Sequence, residues 1–332
     1  MLNIFFNTDD KDDWLRLSPT GTNIVKNCKF FFHIKDIDNH KIDFFVVFNK
    51  INKDINFLKE INKKNSLLIA CEPPSIHFYP QEYINQFEYV ICPDVNIKHK
   101  NKIKITPFFP WHIGQNRNSS LVNKNINFKS LFHKKFNKKK KISVIQSHKI
   151  SCKEHEIRKK IIDTIVQEFQ SEIDVYGTGF KKEVISDKIN VLADYHYHIC
   201  IENFFSNDFW TEKLSDPLIA RTNPIYLGCQ NLNQYFPDNF ILLKDFDMKH
   251  NLKILEEILK KNNHEFYFEK SRMLLFEKYN MLTFLSKFIE KNFSQETMQK
   301  VFYQERRFKN FKYRILVLYY KFMRFIKNFK IF

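Results

Sequence analysis

The chain has 332 residues, a formal net charge of +17, 43% hydrophobic residues and 37 phenylalanines. That much apolar side chain builds packed cores and excludes global disorder, and the length accommodates two modest domains or one large one. The charge points to an anionic partner (nucleic acid, a membrane surface or a phosphorylated small molecule), so where it sits matters more than its sum.

The opening "MLNIFFNTDDKDDW" turns acidic within ten residues and has no basic region leading into an apolar core, so no secretory signal is expected. No window approaches the roughly 18 apolar residues that a membrane-spanning helix needs. Six cysteines, Cys28, Cys71, Cys92, Cys152, Cys200 and Cys229, show no C-x-x-C or C-x-x-H spacing. This argues against a structural zinc site and a disulfide framework, and for a reducing, cytoplasmic compartment. Cys71, Cys92 and Cys200 lie in apolar runs and read as buried thiols.

In chain order, "IDFFVVF" (42–48), "SLLIACE" (66–72) and "FEYVIC" (87–92) read as buried strands, and "KITPFFPWHIG" (104–114) as a fourth strand or a loop. Strands separated by helix-compatible segments predict an α/β domain with a mostly parallel sheet over 1–135. The run "FHKKFNKKKK" (132–141) interrupts the pattern and reads as a solvated linker. The pattern then restarts. "KISVIQS" (141–147) is strand-like, and "KEHEIRKKIIDTIVQEF" (153–169) has a helical apolar stripe. "EIDVYGTG" (172–179), "HYHICIE" (196–202) and "NPIYLG" (223–228) supply further strands of a second α/β domain, 141–290. Tyr176 and Gly177 read as structural strand-end residues. Two such domains in tandem predict a ligand cleft at the carboxyl ends of strands.

The remaining segment, 291–332, is a tail of a different kind. From Arg306 to Lys330 there are nine Lys or Arg and no acid. Phe311, Ile315, Leu318, Phe322, Phe325, Phe329 and Phe332 recur at spacings of four and three, which predicts one apolar helical face. A basic, aromatic, amphipathic helix over 306–332 suits an anionic membrane surface; the alternative is a helix docked on the protein with its lysines as solvent cover.

The chemistry concentrates in "ICIENFFSNDFWTEKL" (199–214). Glu202 and Asn203 follow a strand at its carboxyl end, where open α/β sheets place ligands. A helix starting near Thr211, capped by Asn207 or Asp208, offers free N–H groups to an anion. Lys213 adds a formal charge in the first turn. The set suits a diphosphate, with the carboxylates of Glu202 and Glu212 better suited to sugar hydroxyls. Phe209 packs on the ligand or closes the core. Pro217 falls inside this helix, which must therefore be short or kinked. His196 and His198 alternate onto one strand face, but no Cys or third His lies close in sequence, so no metal site is expected.

These residues resemble the signature of the α-1,3/4-fucosyltransferases of glycosyltransferase family 10. The likeness rests on I-E-N (201–203), Phe209, T-E-K (211–213), N-P-I-Y-L-G (223–228) and "YFPDNFILLKDFD" (235–247). Ile201 stands where the family has Phe and Leu227 where it has Trp. Weaker similarity reaches "ACEPPSIHFYPQEYINQFEYVIC" (70–92), where the family's catalytic base falls on Glu72, and "VIQSHKISCKEHEIRKKII" (144–162). In the latter the donor-phosphate cation falls on Arg158 or, without a gap, on His155.

The resemblance implies a GT-B architecture: an acceptor domain, and a donor domain binding GDP-fucose through Arg158 or His155, Glu202, Asn203, Phe209, Thr211, Glu212 and Lys213. It implies inverting transfer of L-fucose to a hydroxyl of an acceptor glycan, with Glu72 as base. No D-x-D motif follows a strand, so no cofactor or essential metal is expected. The rival readings are a GT-B enzyme using another nucleotide sugar and a non-catalytic protein binding membrane or nucleic acid. The sequence holds no nucleic-acid-binding signature, and its positive charge gathers in the linker and tail.

Overall fold

The computed structural model describes residues 1–37, 41–52, 61–74, 76–116, 121–146, 153–177, 186–296, 298–309 and 313–319. The chain divides into two α/β units: Met1–Asp9, Cys28–Lys104 and Ile289–Phe332 form one, Asp10–Asn27 and Ile105–Phe288 the other.

The first unit is built on a parallel sheet. Its strands lie in the order Cys28–Phe31, Leu2–Asn7, Phe44–Phe48, Ser66–Ile69, Tyr89–Ile91 and Lys102–Ile103. Phe44 to Phe48 are all buried, as continuous apolar runs in a parallel sheet covered on both faces must be. Around them pack Phe45, Leu68, Tyr83, Phe87 and Val90. The three strands read from the sequence are present but shorter, and "KITPFFPWHIG" forms no strand. Leu2–Asn7 and Cys28–Phe31 are additional strands.

The second unit carries a parallel sheet in the order Ile173–Tyr176, Lys140–Ile145, Tyr195–Ile201, Asn223–Leu227 and Ile241–Leu242. The helix Lys153–Phe169 buries Ile161, Ile162, Ile165 and Phe169 against it, the stripe predicted from spacing. At Gly177, φ is +144°, and an added Cβ would stand 1.9 Å from the Gln146 carbonyl oxygen. Only glycine lets these strand ends meet.

The boundaries differ from the expected 1–135, 141–290 and 291–332, for identifiable reasons. Arg16, buried, donates to the carbonyls of Trp111 and Ile126 at 2.7 and 2.9 Å, tying residues 10–27 to the segment after 105. Arg272 donates to the carbonyls of Leu131 and Phe132 at 2.8 Å each, so residues up to 133 also belong to the second unit. The segment after 289 returns to the first unit. Gln299–Lys300 pairs antiparallel with Ile61–Asn62, and Phe302 is buried in that unit's core.

The linker reading also needs correction. Lys138 lies within the basic run, yet its ammonium donates to the carbonyls of Leu192 and Ala220 and to the Thr222 hydroxyl, each at 2.7 Å. In the tail, residues 313–319 are helical and expose Ile315, Leu316, Leu318 and Tyr319. Phe311 and residues 320–332, most of the predicted amphipathic helix, lie outside the described residues. Among the described residues no helix is long and apolar enough to cross a membrane.

Candidate functional site

A cavity of about 220 Å³ opens in the second unit, lined among others by His155, Arg158, Lys188, Asn203, Glu212 and Lys213. Its floor is the end of the strand Tyr195–Ile201, which the Glu202 N–H extends by donating to Leu227 O at 2.9 Å. One wall is the helix Lys153–Phe169, where His155 and Arg158 stand three residues apart on one face. The other is the helix Glu212–Ile219, of eight residues, short enough to hold Pro217 in its second half.

Thr211 caps that helix, its hydroxyl accepting the Lys213 N–H at 3.3 Å. The cap expected from Asn207 or Asp208 is therefore three or four residues further on. Asp208 instead accepts from Asn231 and Tyr235, at 2.8 and 2.7 Å. Glu202 holds Thr211 from beneath. Its two carboxylate oxygens accept the Thr211 N–H at 2.8 Å and hydroxyl at 2.7 Å, and the side chain is fully buried. Glu202 thereby turns both carboxylate oxygens to the start of that helix. Burial raises its pKa, with the Lys213 charge opposing. Gly228 makes room for it, since a Cβ there would stand 2.4 Å from Glu202 Cγ.

Glu212 and Lys213 form the charged centre. Lys213 Nζ lies 3.2 Å from Glu212 Oε1 and 3.7 Å from Glu202 Oε2. Glu212 Oε1 also lies 3.7 Å from both His112 Nδ1 and Lys188 Nζ. Burial works to raise the Glu212 pKa, but Lys213, His112 and Lys188 together hold it well below the carboxylate range. Lys213 is likewise disfavoured by burial, yet the two glutamates raise its pKa, so it stays charged.

Arg158 donates to Asn203 Oδ1 at 3.2 Å. His155 also hydrogen-bonds Asn203, but burial, then the charges of Arg158 and Lys213, push its pKa down. Of the two candidates for the phosphate cation, the charge therefore resides on Arg158. Phe209 is buried against Phe109 and Phe204, with ring centroids 5.9 and 5.4 Å away, and closes the core.

Three site residues had no mark in the sequence reading. Buried Asp216 accepts from Lys188 Nζ at 2.8 Å and from the His112 N–H at 3.0 Å. Asp216 was findable, being four residues after Glu212 and so on the same helical face. Lys188 and His112 carried no such signal.

His198 is buried and paired with Ser143 Oγ at 2.8 Å, and burial pushes its pKa down to about 3. His196 meets the His264 carbonyl at 2.9 Å. Among the described residues no group of three or more His, Cys, Asp or Glu is arranged to hold a metal ion. The described cysteines are buried free thiols.

Glu72 lies in the first unit, three residues after the strand Ser66–Ile69, at the carboxyl end of its sheet. Its backbone N–H donates to the Tyr79 hydroxyl at 3.2 Å.

Residues 136–301, half of the chain, match the family described as glycosyltransferase family 10 (fucosyltransferase) C-term. The chain is similar to 4-galactosyl-N-acetylglucosaminide 3-alpha-L-fucosyltransferase 9 of Mus musculus (35% identical over 97 residues) and of Homo sapiens (34% over 97). Each match covers 27% of this chain and 27% of the relative's own length. Among solved structures, an α1,3-fucosyltransferase with GDP aligns over 89% of this chain and 91% of its own, at 15% identity and a TM-score of 0.49.

Proposed function

This chain belongs to glycosyltransferase family 10 (fucosyltransferase), and on that premise we propose that it transfers L-fucose from GDP-fucose to a hydroxyl of an acceptor glycan, with inversion. The observation that carries this reading is the pairing of Arg158 and Lys213 across one cavity at the strand ends of the second unit. Two fixed cations beside a helix N-terminus suit a diphosphate whose charge grows as its bond to the sugar breaks.

Each side chain then has a role. Lys213 and Arg158 bind the diphosphate, and Asn203 is oriented by Arg158. Glu212, held ionised by Lys213, His112 and Lys188, accepts hydrogen bonds from donor hydroxyls. Thr211 and Glu202 fix the helix start that presents Glu212 and Lys213. His155 contributes a neutral ring, and Phe209 supports the loop from the core.

The proton chemistry falls to Glu72. Its carboxylate takes the proton of the acceptor hydroxyl as that oxygen attacks the anomeric carbon, and GDP leaves from the opposite face. The cations offset the leaving-group charge, so the reaction is proposed to run without a metal or other cofactor. The protein is further proposed to work at the cytoplasmic face of a membrane, through its basic tail.

The test is a screen of donor hydrolysis and transfer across GDP- and UDP-sugars with a panel of acceptor glycans. Turnover with GDP-fucose, lost in Glu72→Gln while GDP still binds, is the expected result. Activity confined to another donor would change the substrate. Binding that falls steeply with salt and ignores Glu72 would point to a non-catalytic protein.

A further inference from the structure

The loop that carries Glu72 is held from two sides. Leaving the strand Ser66–Ile69, the chain passes Glu72 and turns back to Tyr79, with the N–H groups of Ile76 and His77 donating to Pro73 O at 2.9 and 3.0 Å. At the root, the Tyr79 hydroxyl accepts from Glu72 N and donates to Asn49 Oδ1 at 2.6 Å. The root is local in sequence, whereas the far side is held from the other end of the chain.

Residues 302–309 and Tyr313 provide that hold. Phe302 is first anchored in the core, its ring 5.2 and 5.3 Å from those of Phe45 and Phe87. Tyr303 and Gln86 then exchange two hydrogen bonds, at 2.7 and 3.0 Å. From this base Glu305 Oε1 reaches His77 Nε2 at 2.7 Å, and the Tyr313 hydroxyl donates to Phe78 O at 2.7 Å. Glu305 is 5% exposed, and Lys309 lies 3.0 Å from its second oxygen.

Burying a carboxylate against a surface loop is a poor way to gain stability, because desolvation offsets most of the attraction. Such a pair is better suited to selecting one conformation of the loop. General-base catalysis needs that selection, since the base must sit within hydrogen-bond reach of the proton it removes.

We propose that residues 302–309 together with Tyr313 clamp the Glu72 loop, with Glu305 and Tyr313 acting as positioning residues for proton removal from the acceptor. This rests on the reading of Glu72 as the base.

The experiment uses the full chain, GDP-fucose and an acceptor found active in the screen, with Glu305→Ala, Glu305→Gln and Tyr313→Phe. Glu305→Ala should lower kcat on the order of 10- to 100-fold, leaving the KM for GDP-fucose unchanged. Glu305→Gln, which keeps an acceptor for His77, should recover much of the loss. Tyr313→Phe should fall between them. Hydrogen exchange should rise over residues 72–79 and not over the strand Ser66–Ile69.

Exchange that rises with kcat intact would make the clamp purely structural, and unchanged exchange would remove the clamp. Should Glu305→Ala fail to fold, Tyr313→Phe, which deletes one oxygen, decides by the same comparison. Silence of the unmodified enzyme with every donor would sink the fucosyl reading and the catalytic half of this proposal together. An active enzyme indifferent to these substitutions would sink the clamp alone.

Discussion

Glu202 and Thr211 are joined twice, the carboxylate accepting the threonine N–H at 2.8 Å and its hydroxyl at 2.7 Å. This pair fastens the end of one strand to the start of the helix that presents Glu212 and Lys213. Glu202 is fully buried, so water does not replace it. Glu202→Ala leaves two donors unmatched and is expected to cost about 1–3 kcal/mol of unfolding free energy. Urea denaturation checks the stability, and GDP titration should show weaker binding in the same variant. Unchanged values on both counts would deny Glu202 its organising role.

The same carboxylate makes Gly228 irreplaceable. A Cβ at 228 would stand 2.4 Å from Glu202 Cγ and 2.7 Å from the Tyr226 hydroxyl. Gly228→Ala is expected to lower stability by about 1–3 kcal/mol through overpacking. Combined with Glu202→Ala, which removes the Cγ, the losses should be less than additive. Strict additivity in thermal or urea melts would show that the two positions do not collide.

Much of this arrangement is legible in the sequence because it follows apolar pattern. Runs such as "IDFFVVF" and "HYHICIE" become parallel strands since continuous Phe, Val and Ile can be buried on both faces of a sheet. The site residues after Ile201 follow from their place at a strand end. The burial of charge is not legible in this way. Lys188 looks like an ordinary surface residue until the fold brings it 2.8 Å from Asp216. Glu202 reads as a ligand or as an organiser of the site, and its contact with Thr211 shows a support. The return of Phe302 to the first core is equally hidden, because a two-residue strand at Gln299–Lys300 leaves no periodic trace.

Charge at the cavity should divide unevenly between Arg158 and His155. Arg158→Ala and Lys213→Met each remove a cation available to a diphosphate. Each should weaken GDP binding by about 10- to 100-fold, the equivalent of one charge-assisted hydrogen bond. His155→Ala should matter far less near neutral pH, because burial and its two cationic neighbours keep the ring uncharged. Calorimetric GDP titration of the three variants makes the comparison. A larger loss in His155→Ala than in Arg158→Ala would reverse the assignment.

Glu212 should shape the acid side of the stability curve. Its unfolded-state pKa is near 4.5, and in the fold it lies well below, as Lys213, His112 and Lys188 outweigh burial. Between those two values the unfolded chain binds more protons, so stability rises with pH. The contribution is complete above pH 4.5 and is lost as pH falls through the folded value. The stability difference between the unmodified protein and Glu212→Gln should therefore be constant above this range and shrink as pH falls through it. Denaturation midpoints measured from neutral pH downwards test this. A difference that grows on acidification would contradict the sign.

The tail supplies the last prediction. Nine Lys or Arg and no acid between Arg306 and Lys330 meet exposed apolar side chains at Ile315, Leu316 and Leu318 in the helical residues 313–319. Apolar burial in the acyl boundary together with attraction to anionic headgroups, about 1 kcal/mol for each Lys or Arg near the surface, favours a membrane. Truncation at 306 would also remove Tyr313 from the Glu72 loop, so removal of residues 320–332 is the cleaner variant. The full chain should sediment with phosphatidylcholine vesicles containing phosphatidylglycerol and not with phosphatidylcholine alone. Truncation should leave it in the supernatant with activity on a soluble acceptor intact, and Ile315→Asp with Leu318→Asp in the full chain should weaken binding. Equal sedimentation with neutral and anionic vesicles would remove the attraction to anionic headgroups, and none with either would remove the membrane. Aggregation of the truncated chain would instead favour a tail docked on the protein.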